Sequence, residues 1–419
     1  MIRILWADDE IDLLKPHIIY LEGKGYNVTP AKSGDEALDL MGENNFDLIF
    51  LDENMPGLSG LETLTILKEK YANTPVIMIT RSEEESIMEE AIGSKIADYL
   101  IKPVNPSQIL LAIKKNIDTN RLVEEKTTSN YQQEFRKISM SLSSFLNKEE
   151  WYEIYKKLTY WELELDKLGD KSVEQILAMQ KTEANTQFFR FIKNNYKDWI
   201  RGQDAPLMSH NLIRKKVLPK MEENKPTYLI VIDNLRYDQW KIIEPSVLED
   251  FMVINDEMYT SILPTATQYA RNAIFCGLLP SEIQKRFPDM WMNDEDEGGK
   301  NMFEAEFLAD NLQRLGKGSS KHSYTKITNI DTGRKVVNKI PNMKHNELNV
   351  IVYNFVDMLS HARTDMKVIK ELADDDSAYR SLTASWFSHS PLKDIMKQIA
   401  KQKANLIITT DHGTINVNK

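Results

Sequence analysis

Phe46-Asp47-Leu48-Ile49-Phe50-Leu51 is a mostly apolar run of strand length, and Asp52 stands where it ends. A run of this kind reads as a strand buried on both faces, the signature of a parallel sheet. The turn Asp52-Glu53-Asn54-Met55-Pro56-Gly57 follows it. Outward from this stretch, Ile2–Ala7 and Pro75–Ile79 repeat the pattern, and Asn27–Pro30 and Asp98–Ile101 are shorter strand candidates. Between them the spacing predicts helices over Asp12–Lys24, Gly34–Glu43, Gly60–Lys70, Glu83–Gly93 and Pro106–Ile117. Strands alternating with helices predict a doubly wound α/β domain, whose ligands bind beyond the carboxyl ends of the strands.

Polar residues stand at those ends. Asp8 and Asp9 follow the first strand, Asp52 the third, Thr80 the fourth and Lys102 the fifth. Three carboxylates brought to one spot repel each other unless a divalent cation bridges them, and hard oxygen ligands suit Mg²⁺. A carboxylate held in line with a phosphoryl donor can act as nucleophile and form an acyl phosphate. Lys102 can neutralise the phosphoryl charge, and the Thr80 hydroxyl can turn to bond it. Asp and Asn also cap helices, but capping does not explain matching residues at five strand ends. Residues 1–118 resemble the receiver domain of response regulators, through Ala7-Asp8-Asp9-Glu10, Leu51-Asp52-Glu53-Asn54-Met55-Pro56-Gly57, Thr80 and Lys102-Pro103. The resemblance implies that Asp52 is the phosphoacceptor and that Asp9 and Asp52 bind Mg²⁺ directly. It also implies that Asp8 acts mostly through water, that Asn54 offers its backbone carbonyl and that Tyr99 is the switch aromatic.

The length of 419 residues calls for two or three domains. A formal net charge of −10 gives no global basic field for nucleic acid or an anionic membrane. Cys276 is the single cysteine, so no internal disulfide is available and a reducing cytoplasm is expected. Acidic residues begin at Asp8, too soon for a signal peptide, and the longest apolar runs are strand-sized, so no membrane insertion is expected.

Residues 119–224 are expected to form a helical bundle linking two domains, with helices near Lys148–Leu168, Val173–Met179 and Thr186–Ile200. Trp151, Tyr155, Leu158, Trp161 and Leu165 line one face, which reads as a bundle core. Arg214-Lys215-Lys216 is short and reads as a solvated helix end; no helix-turn-helix pattern is visible.

From residue 225 the α/β pattern returns. Tyr228–Ile232 runs into Asp233, Val350–Val356 into Asp357 with His361 four residues on, and Leu406–Thr410 into Asp411-His412-Gly413. Asp with His favours Zn²⁺ or Mn²⁺ over Mg²⁺, because imidazole is the softer donor. If a helix starts near Asp357, its spacing to His361 puts both on one face. Leu263-Pro264-Thr265-Ala266-Thr267-Gln268 is a loop entering a helix, where free N–H groups and the dipole can hold phosphate. A metal bound to a threonine hydroxyl there would make it a nucleophile at neutral pH. Arg271, one turn on, reads first as a surface ion pair and second as a phosphate contact.

Residues 225–419 resemble the alkaline phosphatase superfamily, and within it the PglZ-type domain. The resemblance implies two zinc ions, one held by Asp233, Thr267, Asp411 and His412, the other by Asp357, His361 and a later histidine. It prefers Thr267 over Thr265 as nucleophile, by likeness to nucleotide phosphodiesterases with a Pro-Thr-x-Thr segment placed ten residues before a glycine such as Gly277. It implies a phosphothreonine intermediate and phosphodiester or oligonucleotide substrates, cyclic nucleotides included. The chain stops six residues after Gly413, so the last histidine is expected outside it; His389 is expected to be structural or on the surface. The whole layout resembles PorX-type response regulators. That resemblance implies a sensor histidine kinase, a homodimer promoted by phosphorylation, control of type IX secretion, and a sigma factor or secretion component downstream. A phosphorylation-gated binding module without catalysis is the alternative output, and direct DNA binding is the least favoured.

Overall fold

Short apolar strands sit at the centre of each α/β region in the computed structural model, which describes residues 2–81, 96–222, 225–365, 373 and 375–415. The chain divides into two compact units, Met1–Glu134 and Phe135–Lys419.

The first unit holds β1 (Arg3–Ala7), β2 (Asn27–Ala31), β3 (Leu48–Asp52), β4 (Val76–Thr80) and β5 (Asp98–Ile101) in the order β2-β1-β3-β4-β5. All pairs are parallel, with Ala7 opposite Leu51 and Asp52 opposite Ile79. Helices α1 (Lys15–Glu22), α2 (Gly34–Glu43), α3 (Gly60–Lys70) and α4 (Pro106–Ile113) cover the faces. Helices α2 and α3 match the sequence expectation residue for residue, because Ser33 and Ser59 cap them through the backbone N–H of Glu36 and Glu62. The expected helix over Asp12–Lys24 is instead a 3₁₀ turn, Ile11–Leu14, followed by α1. Pro16 has no N–H, which suits the first turn of a helix and not its middle. The expected helix over Glu83–Gly93 lies outside the described residues.

Helix α5 (Thr119–Leu142) is long, polar and absent from the sequence expectation. Helices α6 (Lys148–Asp166) and α7 (Lys171–Trp199) pack together, with Trp151 5.3 Å from Phe188 between ring centres. Trp151, Leu158, Trp161 and Leu165 are buried as expected, whereas Tyr155 is exposed and Ile154 takes the inner position. The two helices expected over Val173–Met179 and Thr186–Ile200 are one helix, α7. Residues 180–185 break the apolar pattern but contain neither Gly nor Pro, so the backbone continues.

The remaining strands, β6 (Thr227–Ile232), β7 (His322–Ile327), β8 (Leu348–Tyr353) and β9 (Asn405–Thr409), form a parallel sheet in the order β7-β8-β6-β9. Around it lie α8 (Tyr237–Leu248), α9 (Thr267–Cys276), α10 (Pro280–Arg286), α11 (Glu304–Arg314), α12 (Ile330–Lys339), α13 (Phe355–Asp365), α14 (Asp376–His389) and α15 (Pro391–Ala400). Two apolar cores flank this sheet, one through Tyr228, Ile230 and Ile232, the other through Leu229 and Val231. That split is the period-2 alternation of a strand buried on both faces. Among the described residues no helix is long and apolar enough to cross a membrane.

Candidate functional site

Asp8 leaves the end of β1 and Asp52 ends β3, neighbouring strands whose helices diverge to opposite faces. The ligand atoms of Asp8, Asp9 and Asp52 lie within 4.8 Å of one another. Asp8 and Asp52 are buried and Asp9 is exposed. Lys102, just past β5, lays Nζ 2.8 Å from Asp8 Oδ2 and 3.1 Å from Asp52 Oδ1. Burial pushes the Asp52 carboxyl up to about 6, Lys102 opposing and Asp8 and Asp9 adding to the rise. One ammonium therefore under-compensates three carboxylates, and the oxygen donor set fits Mg²⁺. Thr80 is buried at the end of β4, Asn54 is exposed in the turn after Asp52, and Tyr99 is half-buried on β5 beside Met78.

In the second unit the ends of β8, β6 and β9, three adjacent strands, bring the acids and histidine together. Asp233 follows β6 and accepts a hydrogen bond from Thr267 Oγ1 at 3.3 Å. Thr267 opens α9, and its Oγ1 is also 2.9 Å from His412 Nε2. His412 Nδ1 lies 3.1 Å from the Gly413 carbonyl, which assigns the ring proton to Nδ1 and the lone pair to Nε2. Asp411 Oδ1 accepts from the N–H groups of Asn234 (3.1 Å) and His412 (3.0 Å). Its Oδ2 is buried without a hydrogen-bond partner among the described residues. Burial and the nearby Asp233 raise the Asp411 carboxyl well above the usual carboxylate range. Ligand atoms of Asp233, Asp411 and His412 lie within 4.8 Å of one another. Two carboxylate oxygens, with the Asp411 Oδ2 that lacks a hydrogen bond among them, and one imidazole nitrogen fit a zinc-type ion.

Asp357 and His361 share one face of α13, with His361 Nε2 3.6 Å from Asp357 Oδ2 and the His361 side chain 73% exposed. The strand ends at Tyr353 and not at Val356, so Asp357 belongs to the helix. Asn234, held at φ 62°, links this pair to the first cluster through Nδ2, 3.5 Å from Asp357 Oδ1. An asparagine after a strand-end aspartate is the signal that could have marked it, since Asn tolerates the left-handed region. Thr265, the less favoured nucleophile, is exposed in the loop. His389 is exposed on α14, 2.8 Å from the Ser385 carbonyl.

Arg271 corrects the sequence expectation of a surface ion pair. It is buried, with Nη1 2.5 Å from Asp233 Oδ2 and Nε against Glu304. Glu304 is in turn bonded by Tyr324 Oη and lies 3.3 Å from Lys326 Nζ. Arg271 thus occupies Asp233 Oδ2 and leaves Oδ1 facing Thr267. Its position four residues after Thr267 puts both on one helix face, a spacing visible in the sequence; nothing there marks Glu304.

Three family models match the chain. They describe a response regulator receiver domain over residues 4–114, a PorX response regulator linker domain over 121–200, and a BREX system PglZ alkaline phosphatase-like domain over 212–419. The transcriptional regulatory protein ResD of Bacillus subtilis is 38% identical over 112 residues, 27% of this chain and 46% of ResD. SrrA of Staphylococcus aureus is 36% identical over 112 residues, with the same coverage. The chain therefore spans about half the length of the curated relatives it matches. A CheY-like receiver domain protein from Methanospirillum hungatei aligns at 28% identity and TM-score 0.28, over 29% of this chain and 97% of that one. The receiver domain of the Francisella response regulator 1452 aligns at 34% identity and TM-score 0.27, over 29% and 99%. With receiver, linker and PglZ segments in this order, the chain matches a PorX-type response regulator, a receiver domain joined through a linker to an alkaline phosphatase-like domain.

Proposed function

We propose that Asp52 accepts a phosphoryl group from a sensor histidine kinase and that the PglZ domain hydrolyses phosphodiesters with Thr267 as nucleophile. The observation that carries this reading is Thr267 Oγ1 lying 2.9 Å from His412 Nε2 and 3.3 Å from Asp233 Oδ1, beside Asp411 Oδ2, which has no hydrogen-bond partner among the described residues. Asp233, Thr267, Asp411 and His412 would hold one zinc ion, and Asp357 with His361 would contribute to a second. Zinc, when bound, supplies positive charge that lowers the pKa of the hydroxyl and offsets charge on phosphate oxygens. Oγ1 forms the bond to phosphorus, losing its proton, and the ester oxygen leaves as the alcohol. Water then displaces Oγ1 from the phosphothreonine and returns the proton to it. The start of α9 turns free backbone N–H groups toward the same region.

In the receiver, Mg²⁺ held by Asp9 and Asp52, with Asp8 through water and the Asn54 carbonyl, would supply charge for phosphoryl transfer. Lys102 then pairs with the phosphoryl oxygens, and Thr80 and Tyr99 report the change. The resemblance to PorX-type regulators supports a cytoplasmic protein, a homodimer promoted by phosphorylation, control of type IX secretion, oligonucleotide-like substrates and a sigma factor or secretion component as partner.

Hydrolysis of a chromogenic phosphodiester by the zinc-loaded full chain, beside Thr267→Val, tests the reading. Activity that disappears with the hydroxyl supports it. No hydrolysis by either protein, with zinc bound by both, sinks it and leaves a phosphorylation-gated binding module. That second reading draws on the Asp357–His361 pair, which offers two donors where a closed zinc site needs more.

A further inference from the structure

We propose that the linker helices are part of the hydrolase site, with the Tyr152 and Tyr196 hydroxyls positioning both Thr267 and Asp411. The inference rests on the reading of Thr267 as nucleophile and Asp411 as metal ligand. The segment Tyr259–Leu263 connects these residues. Tyr152 on α6 places its hydroxyl 2.9 Å from Thr260 Oγ1. Tyr196 on α7 accepts the Leu263 N–H at 2.7 Å. Between and beside these anchors the segment grips the end of β9. Ser261 Oγ donates to the Asp411 carbonyl at 2.8 Å, and Tyr259 Oη donates to the same carbonyl at 3.1 Å and to that of Thr410. Thr260 N–H bonds Leu207 O at 2.8 Å and Ile262 N–H bonds Ser209 Oγ at 3.1 Å. Every residue from Tyr259 to Leu263 is therefore tied down.

This places the site's two sides on one rail. Asp411 has its carbonyl held by two hydroxyls of the segment and Oδ1 held by two N–H groups, so Oδ2 alone remains for a ligand. Past Leu263, only Pro264, Thr265 and Ala266 precede Thr267, which leaves little slack to absorb a displacement. The end of α7 also packs on α9 itself, because Tyr196 and Trp199 share an apolar cluster with Ile262, Ala270 and Ala273. Burial raises both phenols, so both stay protonated at neutral pH. Helix α6 is fixed at each end, by Lys148 against Asp204 (2.8 Å) and by Glu162 and Asp166 against the buried Arg380. A shift of α6 against α7 moves the nucleophile and the metal ligand together.

The test uses the full chain with Tyr152→Phe and Tyr196→Phe combined, and Tyr228→Phe as control, a buried phenol bonded to Gln402. Zinc affinity of the metal-stripped protein is read by competition with a chelating dye, beside the thermal midpoint and the kcat and KM of a chromogenic diester. The double variant is expected to bind zinc roughly tenfold more weakly, the size that hydrogen-bond partners behind a metal ligand carry. Its kcat should fall while KM moves less, and its midpoint should fall no further than that of Tyr228→Phe. Zinc affinity within twofold of wild type overturns the proposal, whatever the thermal midpoint does, since a packing role alone lowers only stability. Were the double variant not to fold, Thr260→Val should weaken zinc and Thr260→Ser restore it; equal affinities for the two overturn the proposal equally. If wild type hydrolyses no ester, the nucleophile reading fails, and the zinc titration still decides the positioning.

Discussion

Both α/β regions gather carboxylates at the ends of parallel strands and set one cation among them, half-buried in the first and buried in the second, and the two cations are held differently. Lys102 bridges Asp8 and Asp52 from a flexible stem whose side chain is 13% exposed. Arg271 is 2% exposed and fixed at both edges, Asp233 on one and Glu304 on the other. An ammonium exchanges partners by rotating its stem, whereas a guanidinium between two carboxylates moves only by breaking both pairs. If Asp52 is the phosphoacceptor, as proposed, the receiver cation can follow a phosphoryl group onto and off it. The PglZ cation fixes the orientation of Asp233 and takes no part in exchange.

The largest expected effect separates the two proposed nucleophiles. Thr267→Val should lower diester hydrolysis by about 10³-fold or more, the scale seen when a nucleophile is removed, while Asp52 still accepts phosphoryl from acetyl phosphate. Asp52→Asn should do the reverse. Any loss of Asp52 phosphorylation in Thr267→Val would break the picture of two chemically separate sites. Next comes the pair of cations. Arg271→Met strands Asp233 and Glu304 in the interior and should cost about 3–5 kcal/mol in urea unfolding. Lys102→Met should cost less than half of that near pH 6, because Asp52, with its carboxyl at about 6, can stay protonated. Equal costs would show that Lys102 is as fixed as Arg271.

The comparison also explains what was legible in the sequence. Both strand-end sets, Asp8, Asp52 and Lys102 and then Asp233 and Asp411, could be read because an apolar run ending on a charge is a local pattern. The edge strand β7, His322–Ile327, escaped because every residue before Ile327 carries a polar group and is only half-buried, so neither an apolar run nor an alternation marks it. Helix α5 escaped because it is polar along most of its length, so no apolar period marks it. The partner of Arg271 was invisible for another reason: Glu304 lies 33 residues away, and only the fold brings it in. Likewise nothing local in the sequence singles out Tyr152 or Tyr196, whose hydroxyls only the fold brings to the loop before Thr267.

A smaller effect contrasts carboxylates shifted in opposite directions. Burial raises Asp52, but for Asp238 the tendency of burial to raise it is outweighed by Arg236 and Arg380, which hold it below the usual range. A depressed carboxylate contributes stability that is complete above its unfolded pKa near 4 and lost as pH falls through the folded value. Asp238→Asn should therefore cost about 2–3 kcal/mol at pH 7, and the gap to wild type should close as pH falls below about 4. Unfolding midpoints at the two pH values decide it. A gap that stays constant with pH would mean that shape, not charge, is what Asp238 contributes.

The smallest effect compares two glycines in the left-handed region. Gly57, in the turn after Asp52, has φ 86°, and an added Cβ would meet Asp35 Oδ2 at 3.0 Å, the tip of a side chain free to turn away. Gly277 ends α9 at φ 65°, and there the Cβ would meet the Asn311 amide at 2.5 Å. Asn311 is buried and donates to the Phe275 carbonyl at 2.9 Å, so it cannot retreat without losing that bond. Gly57→Ala should cost about 1 kcal/mol, the backbone strain alone, and Gly277→Ala about 2 kcal/mol, strain plus the displaced amide. Asn311→Ala in the Gly277→Ala background should recover part of the second cost, because it removes the obstruction and leaves only the strain. No recovery would place the whole cost in the backbone and make the two glycines equivalent.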